Sequence, residues 1–309
     1  MADADPDWLA ERFEAQRPRL RAVAYRMLGS MAEADDAVQD AWLRLARADA
    51  GQVENLGGWL TTVVARLCLD RLRSRTARRE DLVGVHLPEP IVTAPGVPQA
   101  ADPEQEAILA DSVGLAMLLV LERLTPAERL AFVLHDTFGL PFEEIGRIVE
   151  RTPEAARQLA SRARRRVRGS IAPSRVSPAR QRELVDAFLA AARAGDFEAL
   201  LRVLDPEVVV RADLGSLGGP LARAAARDLH GASAVARQAL AFRAVAGGAR
   251  AATVNGAPGV VVFSGGRPFA VAAFAFSGAG KAAAIAEIDF LLDPERLARL
   301  DLSAISRGG

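Results

Sequence analysis

Apolar residues recur at helical spacing from the start of the chain. Trp8, Leu9, Phe13, Leu20, Val23, Ala24, Met27 and Leu28 form one stripe, which Gly29-Ser30 interrupts. A second helix is predicted over Ala32–Ala46, with Ala37, Val38, Ala41, Trp42 and Leu45 inward and Asp35, Asp36, Gln39 and Asp40 mainly on the other side. A loop over Asp49–Gly58 precedes a third helix, Trp59–Arg75, which is apolar along one side. The period then disappears. Between Asp81 and Asp111, Pro88, Pro90, Pro95, Pro98 and Pro103 argue against regular helix or sheet and mark a linker.

Helical spacing returns in Pro141–Arg168. Phe142, Ile145, Ile148 and Val149 make one apolar face of a helix over Glu143–Val149. Thr152 is suited to an N-cap, Pro153 to the first helical position and Glu154 to the positive helix end. The helix that follows turns Ala155, Ala156, Leu159, Ala160 and Ala163 inward. Two helices joined by so short a turn form a helix-turn-helix pattern with its recognition helix second.

Beyond a short second linker at Ser174–Pro178 the pattern changes again. Helices are expected over Arg180–Ala194 and Phe197–Leu204. Strand-like runs follow at Glu207–Ala212, Ala249–Asn255, Gly259–Ser264, Pro268–Ser277 and Lys281–Leu292, interrupted by a helix at Ala232–Ala246. Helices packed on a curved, mostly antiparallel sheet make an α+β cone. The expected fold is therefore multidomain: two all-α domains at 7–80 and 112–170, a Pro-rich linker at 81–111, and the cone at 179–309.

Composition narrows the chemistry. The 309 residues carry 39 basic and 39 acidic side chains, so any case for nucleic acid must be local. Two stretches make such a case. Arg66, Arg71, Arg73, Arg75, Arg78 and Arg79 face a single acid, Asp70, at the end of the third helix. Arg157, Gln158, Ser161, Arg162, Arg164 and Arg165 point outward from the recognition helix; Arg and Gln suit base edges, and the flanking arginines suit phosphates. Each stretch reads either as a DNA contact or as a solvated helix face. Of the three carboxylates Asp35, Asp36 and Asp40, Asp36 and Asp40 share a helix face with no third ligand of obvious geometry, which suggests a protein-binding or solvated face rather than a cation site. The one cysteine, Cys68, excludes an internal disulfide and reads as a small buried hydrophobe. In the cone, Asp213, His230, Glu287 and Asp289 are the polar candidates, and no two form an evident acid–base pair. No catalytic residue, metal site or cofactor is expected. No signal peptide or membrane-length apolar run is seen, which points to a cytoplasmic protein.

The order AEADDAVQDAWLRL, GGWLTTVVARLCLDRLRSR and then LTPAERLAFVLHDTFGLPFEEIGRIVERTPEAARQLASRARRRV resembles a bacterial extracytoplasmic-function sigma factor over roughly the first 170 residues. The first two segments match sigma region 2 and the last matches region 4. The resemblance implies that Asp35, Asp36, Gln39, Asp40 and Trp42 lie where the family docks on the β′ clamp helices of RNA polymerase core. It places Trp59, Thr62, Arg66, Asp70 and Arg71 at the melted −10 element, and Arg157, Gln158, Ser161, Arg162 and Arg165 at the −35 element of promoter DNA. Gly84–Ile91, GVHLPEPI, is similar to a linker motif of one sigma subgroup with a C-terminal extension, with His86 where a Trp is usual. The cone resembles the SnoaL-like fold, and LLDPERLARL resembles the subgroup's tail motif. A Gly-rich Asp-Gly-Gly-Gly-Lys motif of the subgroup corresponds to the stretch from Ala212 to Pro220, which keeps Asp213 but has no lysine. Together these imply regulatory contacts among Leu87, Pro88, Glu89, Pro90, Asp213, Asp293, Pro294, Glu295 and Arg296. They imply control in cis, with no separate anti-sigma factor required; no ligand of the cone is implied. The competing class is a helix-turn-helix regulator that senses a ligand through its cone.

Overall fold

The computed structural model describes residues 6–48, 55–78, 87–96, 115–170, 176–215 and 228–306. His86, Arg79 and the second half of the Gly-rich stretch, 216–220, lie outside them. The chain condenses into two units: residues 1–82, 98–113 and 117–171 make the first, and residues 83–97, 114–116 and 172–309 the second.

The first unit is helical. Helix α1 (Pro6–Leu28) buries Phe13, Leu20, Val23, Ala24 and Met27. Helix α2 (Met31–Leu45) is capped by Ser30, whose hydroxyl accepts from Glu33 N, and buries Ala34, Ala37, Val38, Ala41 and Leu45. Helix α3 (Leu56–Arg78) adds Leu60, Val64, Ala65, Leu67 and Cys68 to the buried set. Burial in this apolar setting pushes the Cys68 thiol up to about 12, with weaker opposing effects from Arg71 and Arg129, so it stays an unreactive thiol at neutral pH.

Helix α4 (Leu115–Glu122) and helix α5 (Pro126–Phe132), continued by a π-helical turn at Val133–Thr137, lead into the helix-turn-helix. Its helices are α6 (Phe142–Val149) and α7 (Pro153–Ser170). Glu150 breaks α6 in the left-handed conformation, φ 58°. The turn then passes so close to α6 that a Cβ on Gly146 would stand 2.7 Å from the Arg151 carbonyl oxygen. Only glycine fits there without a shift. Thr152 caps α7 by accepting from Ala155 N at 3.2 Å. Helices α1 and α5 are joined through Arg129, whose Nε donates to the Arg26 carbonyl at 3.0 Å; both side chains are buried.

In the second unit, helices α8 (Pro178–Ala194) and α9 (Phe197–Val203) precede the sheet. Its strands are β1 (Val92–Thr93), β2 (Leu204–Asp213), β3 (Asp228–His230), β4 (Ala249–Val254), β5 (Ala257–Ser264), β6 (Arg267–Ser277) and β7 (Ala284–Leu291), in the order β1-β4-β5-β6-β7-β2-β3. All described pairings are antiparallel except β2 with β7, which run parallel. The helix expected over Ala232–Ala246 breaks at Phe242 into α10 (Ala232–Ala241) and α11 (Arg243–Ala246). After β7, the short helices α12 (Pro294–Leu297) and α13 (Ser303–Ser306) fold back, and Arg250 of β4 donates to the Ile305 carbonyl at 2.9 Å.

The linker corrects the sequence reading. Its prolines leave room for a strand between Pro90 and Pro95, because Val92 and Thr93 keep their amides and pair with Val254 and Thr253. Lys281 is likewise not in a strand: a 3-10 turn covers Gly280–Ala282, and β7 begins at Ala284.

Candidate nucleic-acid interface and linker clamp

The candidate functional residues fall into three groups of side chains. On α7, Arg157, Gln158, Ser161, Arg162 and Arg165 are all exposed, while Ala156, Leu159, Ala160 and Ala163 are buried. The five outward residues differ in freedom. Arg157 stacks over the Phe142 ring at 5.1 Å. Arg162 Nε and Arg166 Nη1 donate to the two carboxylate oxygens of Glu128 at 3.0 and 2.7 Å. Glu128 also closes a capping box with Thr125 at the start of α5. Arg164, half-buried, pairs with Asp136 at 2.5 Å.

Burial works to raise the Glu128 carboxyl, but hydrogen bonds from Thr125 and the two arginines outweigh it and hold it below the ordinary glutamate range. Because its folded value is depressed, the stabilisation is present above the unfolded value, about 4.3, and fades as pH falls through the lower folded value. Both arginines are half exposed, so solvent screening keeps the ion pairs small, and the cap contributes about 1 kcal/mol. Glu128→Ala is expected to cost about 1.5 kcal/mol at pH 7. A pH series of urea melts checks this: the gap between the proteins should narrow progressively as pH falls below about 4.3.

The second group lies on α2 and α3. Asp36 and Gln39 are exposed on one face of α2, and Leu43, 45% exposed, extends that face by one turn. Sequence reasoning passed over Leu43; an apolar residue in line with Asp36 and Gln39 was the available signal. Asp35 pairs with Arg21, and Asp40 pairs with Arg71 at 2.8 Å. Trp42 stands off this face, half-buried against Phe13 with ring centroids 5.0 Å apart. On α3, Trp59, Thr62, Arg66, Asp70 and Arg73 follow one another at helical spacing on an exposed to half-exposed face. Thr62 donates to the Gly58 carbonyl at 3.0 Å, and Arg66 Nη2 to the Arg147 carbonyl at 3.4 Å. Arg71 is on another side, where it also donates to the Glu33 carbonyl at 2.9 Å and fastens α2 to α3.

The third group joins the linker to the cone. Residues 87–91 are buried. Asp213, at the end of β2, accepts from Leu87 N at 2.8 Å through Oδ2 and from Gly215 N at 3.1 Å through Oδ1. Arg296 Nη1 donates to the same Oδ2, and its Nη2 donates to the Leu87 carbonyl at 2.5 Å. Arg296 is set in place by Asp293, the N-cap of α12, with Pro294 and Glu295 completing its first turn. Gly215, φ 51°, lies so close that a Cβ would overlap the Asp293 carboxylate at 2.1 Å. Further along, Asn255 at the β4–β5 turn accepts from Ile91 N at 3.0 Å and donates its own N–H to the Ile91 carbonyl at 2.8 Å. The linker is thus gripped at both ends of Leu87–Ile91. Pro88 and Pro90 have no N–H to leave unpaired when buried there.

Three of the four polar candidates of the cone share one strand face, and His230 stands apart. Strand alternation puts Arg211, Asp213, Glu287 and Asp289 on one face of β2 and β7, where Arg211 pairs with Glu287 and, at 3.3 Å, with Asp289. His230 is exposed on β3, 3.3 Å from Asp228. Among the described residues no group of His, Cys, Asp and Glu could hold a metal, and no helix is long and apolar enough to cross a membrane.

A helix-turn-helix with an exposed Arg/Gln face, preceded by a three-helix array and followed by a cone, defines a multidomain transcription factor. Residues 12–78 match the family model for Sigma-70 region 2, and residues 114–167 that for Sigma-70, region 4. The chain belongs to the extracytoplasmic-function RNA polymerase sigma factors. It is 45% identical over 205 residues to the ECF RNA polymerase sigma factor SigJ of Mycobacterium tuberculosis, a match spanning 65% of this chain and 64% of that protein, just under two thirds of its length. It is 40% identical over 216 residues to the probable ECF RNA polymerase sigma factor SigI of the same species, covering 69% of this chain and 72% of that one. The crystal structure of the M. tuberculosis SigJ superposes with a TM-score of 0.73 at 35% identity, over 95% of this chain and 99% of that chain. The likeness takes in the C-terminal domain, a SnoaL-like cone with a mixed sheet.

Proposed function

We propose that this protein directs RNA polymerase core to specific promoters and promotes DNA melting there, with its cone acting as a regulator in cis. The observation that carries the reading is the matched pair of sigma regions, each presenting an exposed polar or basic helix face. In this reading residues 7–80 bind core polymerase, through its β′ clamp helices, and the −10 element. Residues 112–170 bind the −35 element. Arg157, Gln158, Ser161 and Arg165 are the promoter-facing side chains of α7, and Arg162 approaches DNA while held on Glu128. Trp59, Thr62, Arg66 and Asp70 form the −10 face, where an aromatic ring and polar groups receive unstacked bases. Arg71 serves that face indirectly by holding α3 to α2. The protein works where the polymerase is, in the cytoplasm, and is not an enzyme.

Residues 179–309 regulate by holding the linker between the two promoter readers. Linker and regulator are one chain, so no separate anti-sigma protein is required. The reading as a ligand-sensing helix-turn-helix regulator is not favoured, because it leaves the region 2 match without a purpose.

The polymerase surface is assigned to Asp36, Gln39 and Leu43, with Asp35 and Asp40 beside them in ion pairs. The Asp36→Ala/Gln39→Ala/Leu43→Ala variant is expected to bind core polymerase at least tenfold more weakly, since an interface side chain near the centre contributes about 1–3 kcal/mol. Its helical circular dichroism should be unchanged, because none of the three is buried. Unaltered affinity in a fluorescence titration with core polymerase would remove the assignment.

A further inference from the structure

The cone contains a cavity of about 130 Å³ between α8, α10, α11 and the inner face of the sheet. Val210 and Ala212 of β2, Ile288 of β7, and Leu292 just beyond it line its floor; Phe242 and Phe269 are half-buried beside it. Gln238 is the one polar residue among the described lining residues. The ionisable candidates of β2 and β7 are on the opposite face of those strands, so the space is carbon-walled and offers almost nothing to hold water. Such a space does not attract water, which needs two to four polar partners, and a dry cavity of about 150 Å³ lined by aliphatic and aromatic side chains takes up benzene. The half-buried Phe242, Phe269 and Leu229 give it a mouth rather than a sealed wall.

Its position matters as much as its chemistry. Ala212 and Leu292 line the cavity, while their neighbours Asp213 and Asp293 belong to the linker clamp. Leu292 N donates to the Asp213 carbonyl at 2.8 Å, so floor and clamp are tied by backbone. We propose that this cavity is a binding site for a small, uncharged, mainly carbon molecule about the size of one aromatic ring, and that filling it steadies the two strand ends that hold Leu87. A ligand that packs against Ala212 and Leu292 favours the clamped state only as far as it binds that state better than the released one. The site stands apart from promoter recognition, and would be present whatever the helical unit binds.

The full chain, labelled at its methyl groups, is titrated with toluene and, separately, with benzoate, which has the same ring but a charge the cavity cannot pair. Saturable shifts at Val210, Ile288 and Leu292 methyls, with benzoate at least tenfold weaker, are expected. Ala239→Leu and Ala246→Leu, which shrink the cavity from two different helices, should each weaken toluene binding at least fivefold; either folded variant suffices, and the wild-type titration stands if neither folds. Exchange of the Leu87 amide should slow at least threefold on saturation with toluene. No saturable shift, equal response to benzoate, or shifts outside the cone would overturn the site. Saturable binding with unchanged Leu87 exchange would overturn its tie to the clamp.

Discussion

Alanine at Asp213 is expected to release residues 87–91 from the cone and raise the exchange rate of the Leu87 amide by a hundredfold or more. The carboxylate is 2% exposed and holds three donors, Leu87 N, Gly215 N and Arg296. Removing one partner of a buried pair leaves the other charge without compensation, at a cost of about 3–5 kcal/mol. Arg296, with 15% of its side chain exposed, recovers part of that by turning to water, so about 3 kcal/mol of local stability is the expected loss. Trimming the tail after Leu292 acts on the same clamp from its other side. It removes Arg296 and its bond to the Leu87 carbonyl but leaves Asp213 on Leu87 N, so the linker is loosened rather than freed. In run-off transcription we expect the trimmed protein to be more active than the intact one. Deletion of the whole cone, from residue 174, should be less active because Asn255 and β4 no longer support the linker. Alanine at Pro88 and Glu89 should reproduce part of the tail effect. Three activities equal to that of the intact protein would dismiss the cone as a regulator.

The second large effect is expected on α7. Replacing Arg157, Gln158 and Arg165 together by alanine should weaken promoter binding by holoenzyme at least a hundredfold, because each base-edge contact is worth about 1–3 kcal/mol. The single changes separate by chemistry. Gln158→Ala should relax preference at one base position. Arg165→Ala, if its contact is to phosphate, should weaken all sequences alike and reduce the salt slope by about one. Arg162→Ala should combine lost DNA affinity with lost stability, since Glu128 is its partner. Promoter affinities measured over a salt series distinguish these outcomes; a triple variant with unaltered affinity would refute the docking face.

Local chemistry was legible in the sequence. Thr152, Pro153 and the alanine-rich inner stripe of α7 are all short-range signals, and the helix-turn-helix follows from them. The strands β4 to β7 announced themselves by β-branched and aromatic runs. What was hidden depends on distant partners. Leu87 and Asp213 are 126 residues apart, and Leu87 and Arg296 are 209 apart; the tail and linker motifs pointed to a contact but not to its donor and acceptor. Strand β1 was masked by its flanking prolines, and β3 is only three residues long. Outward-facing arginines are visible in sequence, but whether an exposed arginine is committed to a neighbour, as Arg162 is to Glu128, is not. Likewise Asp40 and Arg71 looked like surface groups and turned out to pair with each other.

The central claim, that this is a promoter-specificity factor, is tested most directly by run-off transcription with purified core polymerase on a pool of random promoters, with permanganate footprinting of the selected templates. The account predicts transcripts from a recurring two-element sequence, and reactive thymines near its downstream element, only when protein and core polymerase are both present. Tight binding of the protein alone to duplex DNA, with no transcript and no opened bases when core polymerase is added, would contradict it.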